Sequence, residues 1–242
     1  MRYGPKTLLC IASLVCLQTL TAQTHKRFDP TAQAKSGGCA ASLAACPVSG
    51  CGGGDKLLDT KKNQQATPAD YAAMSFDDFR HLEEERPTTW KQGQNRSEVE
   101  QLGEGSAVML AGYLFGAHSG SVETVNCKLS GEANNDYHIN IVENDGDPQT
   151  ASVVVEMTPK MRPGNHGWDL KTLRAIPAAP GKQHAFVRVS GYLLFDSEHV
   201  TRSGGERMTI REIHPVTKFE VCAAGNCAVD NDAGWQDITK NR

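Results

Sequence analysis

The chain has 242 residues, with 25 Lys and Arg against 28 Asp and Glu, a formal net charge of −3. That weakly acidic balance argues against sequence-independent nucleic-acid binding, which depends on many basic contacts to phosphate. With 39% hydrophobic residues, the chain can supply one ordinary core and an irregular remainder.

Residues 1–22 have the three parts of a secretory signal peptide. Arg2 and Lys6 are followed by an apolar run from Leu8 to Leu20 and a cutting point at Thr21-Ala22. The apolar run is short for a bilayer span, and no later segment is a better candidate. Cleavage removes two positive charges, so 23 − 28 = −5 remains over 242 − 22 = 220 residues. The expected location is periplasmic or extracellular, with no transmembrane anchor once the signal is gone.

Six cysteines then remain: Cys39, Cys46, Cys51, Cys127, Cys222 and Cys227. An even number in an exported chain favours disulfides. Cys46/Cys51 and Cys222/Cys227 are each separated by four residues, and each pair is able to close a small loop. Cys39 and Cys127 would then pair with each other or stay free.

Residues 23–66 are rich in Gly, Ala, Gln, Lys and Thr, and predict a flexible Cys/Gly-rich arm that buries too little to offset its ordering entropy. Its cysteines lack the two-residue gap of a zinc knuckle or a thioredoxin-type motif, which favours a stapled tether over a metal or redox site. Residues 67–102 predict a short helical segment packing on the main domain. Helix starts are expected at Thr67-Pro68-Ala69-Asp70 and at Ser75, with a stop at Pro87.

From Gly105 the apolar period becomes two. Strands are expected at 107–116, 137–143 and 151–157, then a short helix within 163–176, then strands at 184–200 and 207–222. Tyr113 and Tyr192, each after a glycine, are expected at matching core positions of two paired strands. The fold class implied is mainly β: a five-stranded OB-like Greek-key barrel over 103–222, with one helix between strands 3 and 4. Short helices and the arm precede it, and residues 223–242 form a C-terminal tail. A small sandwich or another open barrel is the competing architecture.

Six of the eight histidines fall in the barrel region, and Asp136, Glu156, Asp196, Glu198 and Glu212 join them. His138, Asp196, His199, Arg207, Glu212 and His214 are the candidate ligand-binding residues. His138, Glu212 and His214 are the candidate metal ligands, because imidazole and carboxylate together suit a divalent ion. The same groups also suit general acid/base work. No His-x-Glu-x-x-His helix, Gly-x-Ser-x-Gly turn or phosphate loop is present to decide between them. A structural polar network is the plainer role for His138, Glu212 and His214. For Arg207 and Arg211 it is pairing with neighbouring glutamates.

The stretches GEGSAVMLAGYL (103–114), DYHINIV (136–142), VVVEMTP (153–159), VRVSGYLLFDSEH (187–199) and REIHPVTKFEV (211–221) resemble a family of poorly characterised bacterial exported proteins with an OB-like barrel. CPVSGCGGGDKLLDTKKN (46–63) is similar to an N-terminal segment found in some of them. Arg211 stands where that pattern often carries an aromatic. The resemblance implies a fold and a compartment but no activity.

Three functions follow as expectations. The first is an exported OB-like domain that binds a small ligand or an envelope protein without catalysis and needs no cofactor. The second is a divalent-metal-dependent, phosphodiesterase-like hydrolase using the His/Glu/Asp cluster. The third makes the Cys-rich arm the working part, as a redox element or an envelope tether.

Overall fold

A computed structural model describes residues 38–87, 90, 93, 95–199 and 206–240. The expected signal peptide, the first part of the expected arm and residues 200–205 lie outside the described residues.

The N-terminal part carries a helix, α1 (Lys56–Lys62), capped by the Asp55 carboxylate, and a short strand, β1 (Ala72–Met74). Helix α2 (Phe76–Glu84) begins with a reciprocal capping box between Ser75 and Asp78, and α3 (Ser97–Gln101) follows. Then come β2 (Ala107–Ser119), β3 (Tyr137–Val142), β4 (Val153–Met157), the short helix α4 (Leu170–Arg174), β5 (Phe186–Phe195), β6 (Arg211–Cys222) and β7 (Trp235–Asp237).

β2 pairs antiparallel with β3, and β3 with β4. β4 runs parallel to β6, β6 antiparallel to β5, and β5 antiparallel to β2. These five strands form a closed barrel, while β1 and β7 add to β2 and β6 from outside. Within the barrel, β2 serves two partners: Ala107 to Tyr113 face β5, and Tyr113 to Ser119 face β3. The handover needs Gly112, because a Cβ there would lie 2.6 Å from the Val142 carbonyl oxygen. Gly191 meets the same limit on β5, where a Cβ would lie 2.3 Å from the Pro215 carbonyl oxygen.

Alternation sends Leu110, Ile139, Ile141, Val153, Val155, Val187, Val189 and Ile213 into the barrel interior. Phe76 and Phe79 of α2 and Leu170 and Leu173 of α4 join the same core. Each such side chain contributes about 1.5–3 kcal/mol on burial.

Several expectations are corrected. No helix begins at Thr67; the segment 67–102 contains β1 before its helices. Residues 38–66 are not a loose arm, since Leu58 and Lys62 are buried and two disulfides hold the segment. Cys46 does not pair with Cys51: the bonds are Cys39–Cys51 and Cys46–Cys127, while Cys222–Cys227 closes the small loop expected of it. Spacing favoured the local loop, but the fold carries Cys127 beneath the N-terminal segment. In the expected C-terminal tail, Trp235 stacks on Phe186 and Ile238 joins the main core. Tyr113 and Tyr192 are only half-buried and do not pair; their partners across β2 and β5 are Phe186 and Ala107. No described helix is long and apolar enough to cross a membrane.

Candidate functional site: a buried carboxylate–histidine cluster beneath a cleft

The register of the strands builds the site. His118 on β2 stands opposite His138 on β3, and His138 opposite Glu156 on β4. β6 continues the row, with Glu212 beside Val154 of β4 and His214 two residues on, on the same face. Since Ile139, Val155 and Ile213 point into the barrel, this row lies on the outside of the barrel wall.

A bare barrel would leave that face in water. The disulfide-held N-terminal segment covers it instead. Cys39 N donates to Cys127 O at 2.9 Å, Cys51 N to Thr124 O at 3.0 Å and Asn63 Nδ2 to Val125 O at 3.0 Å. From α1, Lys62 reaches into the cluster, 3.6 Å from Glu123 and 3.8 Å from Asp196.

The contacts then run as one chain. His138 Nε2 lies 3.3 Å from Glu156, and His214 Nδ1 lies 3.0 Å from Glu156 and 3.6 Å from Glu212. Arg207 binds Glu212 and approaches Asp196 at 3.8 Å, and Asp196 pairs with His199 Nδ1. All six sequence candidates, His138, Asp196, His199, Arg207, Glu212 and His214, therefore fall in one connected group. Arg211 does not join it. Its guanidinium is buried over the Phe195 ring, and burial pulls its pKa down to about 10.

The candidate metal set is revised. His138, Glu212 and His214 do not converge on one point. Among the described residues the converging sets are Asp136/Glu156/His214, Asp196/His199/Glu212 and three cysteines already used in disulfides.

Five carboxylates, Glu123, Asp136, Glu156, Asp196 and Glu212, share the region with two permanent cations, Lys62 and Arg207. The imbalance governs the ionisation. Burial alone would lower His214, but Glu156, Glu212 and Asp136 outweigh it and push the imidazole up to about 10. His138 is raised to about 9 against its burial, by Glu156, Glu123 and Glu212. Burial and the neighbouring Glu123 push Asp136 up to about 7. Glu156 is held well below the usual carboxylate range, since His138, His214 and Lys62 together overcome its desolvation.

Above the cluster lies a cleft of about 460 Å³. Its walls come from the β2–β3 connection (Gly120, Glu123), the β3–β4 face (His138, Asn140) and the β5–β6 connection (His199, Arg207). His138 belongs to both levels: it lines the cleft and touches Glu156 below. Gly120 makes room for it, since a Cβ there would lie 2.7 Å from His138 Nε2.

Of four further participants, Asp136 and Glu156 stood with the barrel histidines in the sequence without being named as ligands, and Lys62 and Glu123 did not. Glu156 was visible as a lone carboxylate inside the apolar run VVVEM. Asp136 stood beside the DYHINIV strand, but its burial was not readable. Glu123 and Lys62 carried no signal, because their roles depend on which loop and which segment cover the barrel.

No family model, curated protein or solved structure matches this chain.

Proposed function

We propose that this chain is an exported OB-like binding domain that holds a small polar ligand in the cleft at the barrel end. The observation that carries the reading is the composition of the cleft walls. They are the connection between the first and second barrel strands, the connection between the fourth and fifth, and the outer face of the second and third. That is the surface an OB barrel offers to ligands. The strand order supports the OB-like assignment: first, second, third, fifth, fourth and back to first, with third and fifth parallel. The N-terminal signal pattern, the resemblance to exported barrels and three disulfides support the compartment.

The lining sets the ligand class. Imidazoles, Arg207, Glu123, Glu198 and Glu206, hydroxyls and amides surround the space, and no Phe, Tyr or Trp is among the described lining residues. The lining is dominated by charged and hydrogen-bonding groups, so the ligand is a compact molecule bearing both hydrogen-bond donors and acceptors. Binding rather than catalysis is favoured because Glu156, Asp196 and Glu212 are buried in mutual ion pairs, out of reach of a substrate.

The test uses the full chain isolated from cells that export it. Native mass spectrometry looks for a co-purified small molecule, and thermal shifts are measured with amino acids, short peptides, organic acids and small sugars. A hit that His138→Ala abolishes at unchanged urea midpoint supports the reading. Absence of any co-purified molecule and of any shift rejects it.

His138 also favours a second reading, a metal-dependent hydrolase, because it faces the cleft with Glu156 behind it. EDTA-sensitive cleavage of bis(p-nitrophenyl) phosphate, lost in His138→Ala, would establish that reading instead.

A further inference from the structure

We propose that Asp136, Glu156 and His214 form a binding site for a divalent first-row metal ion, with zinc as the expected occupant. The site lies under the cleft and is independent of what the cleft binds.

Convergence is the first argument. One donor atom from each residue lies within 4.8 Å of the other two, and His214 Nδ1 is 3.0 Å from Glu156 Oε2. Donors that share a zinc ion at about 2.0–2.2 Å sit roughly 3–3.5 Å apart, so closing the set takes small side-chain rotations.

The second argument is what these groups fail to do. Asp136, Glu156 and His214 are each at most 1% exposed. Among the described residues, neither oxygen of Asp136, neither oxygen of Glu156 and neither ring nitrogen of His214 has a partner in hydrogen-bond geometry. His214 and Glu156 are close but misaligned for a hydrogen bond, whereas two ligands of one ion need only aim at a common point. Glu156 and His214 share an ion pair, but neither Asp136 oxygen has a partner among the described residues, and burying a carboxylate so is costly. A cation between them would satisfy all three at once.

Charge agrees with this. The two carboxylates offset the charge of a divalent ion, and binding displaces the proton from His214. The donors, one nitrogen and two carboxylate oxygens, suit zinc ahead of calcium, which prefers six or more oxygens. His138 approaches the other oxygen of Glu156 at 3.3 Å and can orient that ligand from the cleft side.

The other converging sets fail the same tests. In Asp196/His199/Glu212, the Arg207 guanidinium already binds Glu212 and His199 already binds Asp196. Lys62 supplies a further positive charge at 3.8 Å from Asp196. The cysteine set is consumed by disulfides.

The experiment is zinc titration of the untagged, EDTA-treated full chain by calorimetry, with metal content by plasma mass spectrometry. About one zinc per chain is expected, together with a raised melting temperature. Affinity should fall at least about tenfold in Asp136→Asn and stay unchanged in His199→Ala. A folded chain that takes up no zinc overturns the proposal, as does zinc binding that ignores Asp136→Asn. Should that variant not fold, zinc-edge X-ray absorption on the wild type decides. One imidazole with oxygen neighbours is the expected shell; sulfur or a second imidazole overturns the assignment.

Discussion

Lys62 places its ammonium 3.8 Å from the Asp196 carboxylate, with both side chains out of solvent, although one stands in the Cys-rich N-terminal segment and the other at the end of β5. This contact ties the N-terminal segment to the barrel. Asp196 keeps a lowered pKa despite its burial because Lys62 and His199 compensate it. Replacing Lys62 by Met keeps most of the packed stem and removes the charge. Urea unfolding of Lys62→Met should show a loss of about 3–5 kcal/mol, as expected when one partner of a buried pair is removed. A loss below about 1 kcal/mol would mean that the carboxylates find their compensation elsewhere.

The three disulfides should differ in worth. Cys46–Cys127 closes a separation of 81 residues and Cys222–Cys227 one of 5. Chain entropy alone makes the long closure about 2–2.5 kcal/mol more stabilising than the short one. The double variant Cys46→Ala/Cys127→Ala should therefore lose more stability than Cys222→Ala/Cys227→Ala. It should also lose hydrogen-exchange protection in α1, and equal losses would contradict the role of the N-terminal segment as a cover.

Asp59, on α1, is pushed up to about 6 by burial, partly offset by the hydroxyl of Thr124. A carboxyl whose folded pKa exceeds its unfolded value of about 3.8 binds its proton more tightly in the native state. Between about pH 4 and pH 6 its contribution to stability therefore falls as pH rises. Asp59→Asn should flatten that part of the profile and gain on the wild type at neutral pH. Unfolding free energies at pH 4.5 and 7.5 read this directly, and parallel profiles for the two proteins would refute it.

Arg96 is buried against Glu104, with Nε 2.6 Å from Oε1, and it donates to the Phe195 carbonyl at 2.6 Å. Glu104 also accepts from Phe195 N at 2.9 Å. Arg96→Met strands a buried carboxylate and should cost about 3–5 kcal/mol. Adding Glu104→Gln removes the charge while keeping an acceptor for Phe195 N, and should recover part of the loss. A double variant no more stable than Arg96→Met would show that the guanidinium acts through its bond to the carbonyl alone.

Alternation along VMLAGYL, HINIV and FVRVSGYLLF, and the short apolar run VVVEM, exposed the barrel strands to view, because both patterns are properties of neighbours in sequence. The Ser75-Phe-Asp-Asp78 start was legible for the same reason: a capping box is made within four residues. The true bounds of the N-terminal domain were not, since Leu57-Leu58 is a weak apolar signal in a Gly-rich stretch whose burial depends on Cys46 meeting Cys127. The site was half legible. His214 and Glu212 share a strand, so their common face followed from the sequence. Their link to Asp136 and Glu156 needed the β3–β4–β6 register.

By itself, then, the sequence determined the local content: which stretches become strands, where α2 starts, how many cysteines there are to pair, and which types of titratable side chain the chain owns. Tertiary structure alone decided that a parallel pairing brings β6 beside β4, and that the 38–63 segment covers the outer barrel wall. Because of that cover, Lys62, Glu123, Asp136 and Glu156 meet the two histidines away from water. The physical reason is that hydrophobic periodicity and capping act over a few residues. The ionisation and ligand chemistry of a buried group are instead set by charges and desolvation from every segment folded against it.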